Sequence, residues 1–79
     1  MILIAKEYAR IFSESGYSLH LIRRAGVTYQ PYVVCWNLQY SLIEPHKAEW
    51  DWGTYSETLE QAWEVFNNKV EEYGFKLIA

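Results

Sequence analysis

Residues 48–74 read AEWDWGTYSETLEQAWEVFNNKVEEYG, and this stretch decides the fold. Ala48, Trp50 and Trp52 alternate with Glu49 and Asp51, the period-two pattern of a strand with one buried face. Gly53 then predicts a turn. Thr58 and Gln61 form a capping-box pair just before an apolar stripe of Leu59, Ala62, Trp63, Phe66, Val70 and Tyr73. Spacings of three and four put that stripe on one helical face, and Gly74 suits a left-handed stop. A strand followed by a capped amphipathic helix is the expected C-terminal half.

Working back toward the N-terminus, Tyr32 to Tyr40 alternates as well. Tyr32, Val34, Trp36, Leu38 and Tyr40 point one way; Val33, Cys35, Asn37 and Gln39 point the other. Tyr17 to Arg24 has the same period, and the Ala25 to Thr28 segment between them predicts a hairpin turn. Ile4, Tyr8, Ile11 and Phe12 recur at helical spacing, so a short N-terminal helix over Ile4 to Glu14 is favoured. A strand over Met1 to Ala5 is the competing reading, because a short apolar run cannot be typed by periodicity alone. The expectation is one α+β domain spanning residues 1–79. A three-stranded antiparallel sheet packs on the C-terminal amphipathic helix, with Trp36, Trp50, Trp52, Trp63 and Phe66 in the core.

Seventy-nine residues make a thin core, with a folded surface of roughly 5,000 Å² by mass scaling. Four Trp, seven Tyr and three Phe compensate, since aromatic rings bury large areas. A single cysteine excludes an internal disulfide and suits a reducing, cytoplasmic setting. The apolar run at residues 1–5 is too short for a signal peptide or a membrane span.

No motif announces catalysis. Phosphate-loop, nucleophile-elbow and zinc-protease patterns are missing from the sequence. Cys35 with His20 or His46 is the one conceivable thiol–imidazole pair, and a mid-strand cysteine is ordinarily a small buried hydrophobe. One Cys, two scattered His and Glu44 fall short of a metal-ligand set. The reading is a non-enzymatic domain without cofactor or metal.

Charge is more telling. Between residues 44 and 72 eight acids face two bases, a net of −6; residues 1–43 hold two acids and four bases, a net of +2. Lys76 brings the chain to −3. Glu49, Asp51, Glu57, Glu60, Glu64 and Glu71 are expected to share an acidic outer wall on the last strand and helix. Such carboxylates can imitate a phosphate array and dock on the basic, nucleic-acid-binding surface of a larger complex, steered by the field. The alternative is direct nucleic-acid binding by the hairpin through Arg23, Arg24, Tyr29 and Tyr32. Aromatics in excess of the core's needs (Tyr17, Tyr40 and Tyr55 also) suit an interface, including that of a homodimer or accessory subunit.

Trp50-Asp51-Trp52-Gly53-Thr54-Tyr55, followed by Thr58-Leu59-Glu60-Gln61-Ala62-Trp63, resembles the strand, turn and capped helix of AP2-like and integrase N-terminal DNA-binding domains. That resemblance implies a three-stranded sheet laid against a helix. In size, acidity and aromatic content the chain also resembles small inhibitors encoded by phages and mobile elements, anti-CRISPR proteins among them. This second resemblance implies a short domain, acting in the host cytoplasm, that blocks a nucleic-acid-processing complex by protein–protein contact.

Overall fold

The computed structural model describes residues 2–74. Six strands precede one helix: β1 Ile2–Phe12, β2 Ser18–Arg24, β3 Tyr32–Trp36, β4 Gln39–Tyr40, β5 Lys47–Glu49, β6 Gly53–Ser56 and α1 Leu59–Tyr73. Every strand pair is antiparallel. The order across the sheet is β4-β5-β1-β2-β3-β6. The class is α+β, as expected, with six strands where three were anticipated.

The N-terminal helix does not form. Residues 2–12 are the longest strand, paired to β2 along most of its length and to β5 at Ile2 and Leu3. Register shifts fall between Ile4 and Lys6 and between Glu7 and Ala9. Each extra residue flips the alternation of side chains. The two flips cancel between Ile4 and Ile11, which serve opposite faces, but Tyr8, at the second shift, packs on Ile11's side, and the broken alternation leaves a spacing that mimics a helix. Pairing with β2 along most of β1, and with β5 at its start, outweighs local propensity.

Two further strands come from breaking expected ones. The predicted run Tyr32 to Tyr40 is cut at Asn37, whose φ of 56° is left-handed. β3 ends before it, and β4 leaves to pair with β5. Beyond β5 the chain turns through Trp50 to Trp52, and Gly53 opens β6 rather than a turn, opposite Cys35. A Cβ on Gly53 would sit 2.9 Å from Trp50 Nε1 and 3.0 Å from Val33 Cγ1, so any other residue would have to push these side chains aside.

Both faces of the central strands are covered. On one, α1 buries Ala62 and Phe66 against Ile11, Leu19, Leu21 and Val34. On the other, Ile4, Ile22, Val33, Cys35 and Ala48 pack with Leu38 and Trp50. The fully buried side chains are aliphatic, plus Cys35, and the tryptophan core is not observed. Trp36, Trp50 and Trp63 are half-buried, and Trp52 is 77% exposed. Planar indoles are too large for the narrow space between strands and helix; they line its rim. Of the expected core, Phe66 is buried.

The helix forms as its sequence predicts. Thr58 Oγ1 accepts from the Gln61 N–H, and the Gln61 side chain returns to the Thr58 N–H. Gly74, at φ 67°, donates its N–H to the Val70 carbonyl.

Candidate functional site

Three groups of polar or exposed side chains stand out. The first is internal. His20 projects from β2 onto the face opposite the helix and is 3% exposed. Its Nδ1 lies 2.5 Å from Glu7 Oε2 on β1, and its Nε2 lies 2.8 Å from Ser18 Oγ. Arg10 donates to Glu7 Oε1, and the Tyr40 hydroxyl donates to the same oxygen at 3.3 Å. Burial opposes ionisation of Glu7, but the bonds from His20 and Arg10 outweigh it and hold the carboxyl below its ordinary range. The same charge, added to burial, raises the Tyr40 hydroxyl.

Serine, imidazole and carboxylate in this order resemble a nucleophilic relay. The surroundings lack its other half. The N–H groups of Gly16, Tyr17, Ser18 and Asn37, which line one cavity, are all engaged: with Ser13 O, Ser13 Oγ, Asn37 Oδ1 and Ser18 O respectively. None of these four is left to hold an oxyanion. The thiol fares no better. Cys35 is the register partner of His20, but both ring nitrogens already have partners. Burial, helped by the Glu7 charge, pushes the Cys35 thiol up to about 12. His46 lies on an exposed loop. Among the described residues no three of His, Cys, Asp and Glu cluster as metal ligands would.

The second group is the acidic set. Glu60, Glu64 and Glu71 are exposed along one side of α1, at spacings of four and seven, and Glu57 is exposed just before the cap. Among the described residues none of the four has an ion pair. Glu49 stands elsewhere. It is on β5, with three strands between it and β6, and α1 packs mainly on β2, β3 and β6, away from β5. Asp51 is exposed in the turn before β6 and accepts from Asn37 Nδ2 at 2.9 Å. The single wall expected over strand and helix is thus divided, with four carboxylates along the helix or at its start, Asp51 in a turn and Glu49 on β5.

The basic alternative is also divided. Arg24 donates to the Tyr29 and Gln30 carbonyls and lies 4.7 Å from the Tyr55 ring centre. Tyr32 is half-buried against Tyr8. Arg23 and Tyr29 are exposed. Lys6 sits over the Tyr8 ring, Arg10 is bound to Glu7 and Lys47 pairs with Glu44.

The third group was not foreseen as a unit. Tyr17, Trp36, Trp52 and Tyr73 surround a cleft of about 500 Å³, with Asn37 and Asp51 in its wall. A smaller cavity of about 300 Å³ shares Tyr17, Asn37 and Asp51 and extends to Ser18 and Gln39. Trp36 and Tyr73 meet edge to face, with centres 5.0 Å apart. Asn37 organises this corner, its amide oxygen taking the Ser18 N–H and its amide nitrogen holding Asp51. The exposure of Tyr17 was legible from composition. Its meeting with Trp36, Trp52 and Tyr73 depends on the broken strand at Asn37, which alternation alone hides.

No family model matches this chain, and neither the curated proteins nor the solved structures yield a match. No helix among the described residues is long and apolar enough to cross a membrane.

Proposed function

We propose that this protein is a non-enzymatic binding domain that docks its acidic helix on a basic surface of a protein partner. In the specific form of the reading, that surface is the nucleic-acid-binding face of a larger complex, and occupying it inhibits the complex. One observation carries the proposal. Glu57, Glu60, Glu64 and Glu71 are exposed and without ion pairs among the described residues, while Lys6, Arg10, Arg24 and Lys47 are engaged inside their own fold. The charge split of the sequence therefore persists as an outward negative field on the helix side, which attracts a basic partner and repels phosphates. For the same reason direct nucleic-acid binding is the weaker reading: only Arg23 and Tyr29 of its four residues are exposed.

The test is capture of the partner from the native host by the wild-type chain and by the double variant Glu60→Lys/Glu64→Lys. Support requires three results together. The variant loses the partner, duplex DNA competes for it, and affinity falls by about tenfold or more from low to physiological salt, as screening demands. Capture that survives charge reversal would end this proposal.

A further inference from the structure

The aromatic cleft has a chemical preference of its own. Among the described residues its lining holds four electron-rich rings, one carboxylate and one amide, and no cation. Tyr17, Trp52 and Tyr73 are all more than half exposed, so their π-faces are available to a ligand. The Asp51 carboxylate is fixed in place. Its backbone N–H donates to the Trp36 carbonyl at 3.1 Å, and its Oδ2 accepts from Asn37 at 2.9 Å. Its Oδ1 has no such anchor among the described residues. Asn37 is held in turn by Ser18, and its left-handed φ of 56° is a conformation that a packed surround must maintain. Tyr73 adds the C-terminal turn of α1, where carbonyls concentrate negative charge and which itself contains no basic residue.

From this complementarity we infer that the cleft takes the side chain of an arginine presented by a protein partner. A guanidinium stacks on indole and phenol faces and forks to a carboxylate, which meets both halves of the lining at once. An ammonium is a point charge with a strong hydration shell and uses the rings less well. The inference deepens the reading of a basic partner and rests on it. It uses different residues from the helix acids, so the two can fail separately.

The experiment titrates the protein with the capped tripeptide acetyl-Gly-Arg-Gly-amide and with its citrulline and lysine counterparts. Tryptophan fluorescence and the indole N–H resonances report binding. The expected result is a saturable shift of the Trp36 and Trp52 resonances with arginine, weakened by about fivefold or more with citrulline, in keeping with loss of a cation–π contact. Asp51→Asn and Trp52→Ala should each lower affinity by a similar factor. Trp52 is largely exposed, so the fold should survive, and far-ultraviolet circular dichroism of both variants checks this. Glu60→Lys/Glu64→Lys should leave the tripeptide response unchanged even if capture of the natural partner is lost. An equal response to citrulline, or no response at all, overturns the inference. So does a tripeptide response abolished by the helix variant. Sedimentation that finds a dimer made monomeric by Trp52→Ala also overturns it, because the occupant is then a second copy of the chain.

Discussion

Glu7 and His20 meet at 2.5 Å on adjacent strands, on the sheet face that the helix does not cover. Tyr40 reaches the same carboxylate from β4, which is not a neighbour of β1 in the sheet. Glu7 thus adds a side-chain tie to the backbone pairing that joins the central sheet to the β4–β5 hairpin. Its side chain is only 11% exposed, so its loss leaves the buried His20 without its partner.

Stability should follow Glu7 ionisation. Its carboxyl titrates lower in the folded chain than the ordinary 4.5, so folding favours the charged form. This contribution is complete above the unfolded value and disappears as pH falls through the folded one. Glu7→Gln should lower stability at neutral pH by about 1–3 kcal/mol. As pH falls through that folded value the variant and the wild type should converge. Urea melts at a series of pH values measure the gap, and a gap independent of pH would contradict the assignment.

Asn37 should tolerate glycine better than alanine. Both substitutions lose the bonds to Ser18 and Asp51, but only alanine adds the steric cost of a left-handed backbone. Asn37→Ala is expected to destabilise by roughly 1–2 kcal/mol more than Asn37→Gly. Equal thermal midpoints for the two would show that φ does not constrain this position.

Gly53→Ala isolates a different effect. The new methyl would press on Trp50 Nε1, Val33 Cγ1 and the Tyr55 ring, two of them side chains packed around the covered core. A cost of about 1–3 kcal/mol is expected, as for overpacking elsewhere. Trimming the neighbour in Gly53→Ala/Val33→Ala should recover part of it; a double mutant with strictly additive losses would argue against the clash.

Cys35 should be chemically silent in the native protein. Its thiol is buried and pushed up to about 12, so almost no thiolate exists at neutral pH. Reaction with a disulfide reagent should be slower than for a free thiol by orders of magnitude, and should track global unfolding as urea is added. Rapid native labelling would mean that the β4–β5 hairpin opens far more readily than its contacts imply.

Helix α1 was legible residue by residue, because its determinants are local: the Thr58–Gln61 box, the stripe through Phe66 and the Gly74 stop all act within a few residues of chain. The alternating faces of β2 and β3 were legible for the same reason, with Leu19, Leu21 and Val34 on one side and Ile22, Val33 and Cys35 on the other. Apolar residues on both faces of both strands also signalled a sheet covered twice, an implication the one-helix, three-strand expectation did not use. The N-terminus was not legible, because two register shifts break the strand's alternation and put Tyr8 on the Ile11 face.

The charge segregation of the chain and its lack of a catalytic motif stand in the sequence itself. Which carboxylates share a surface does not, because strand order decides it: β5 joins β1 rather than β3 and carries Glu49 away from the helix. The same holds for the aromatic cleft. Tyr17, Trp36, Trp52 and Tyr73 are scattered over 57 positions of chain and meet only because Asn37 turns left-handed and releases β4. Local rules write the elements into a sequence this short, but contacts between distant residues are set by the packing of the whole, where one glycine or one reversed φ redirects a strand.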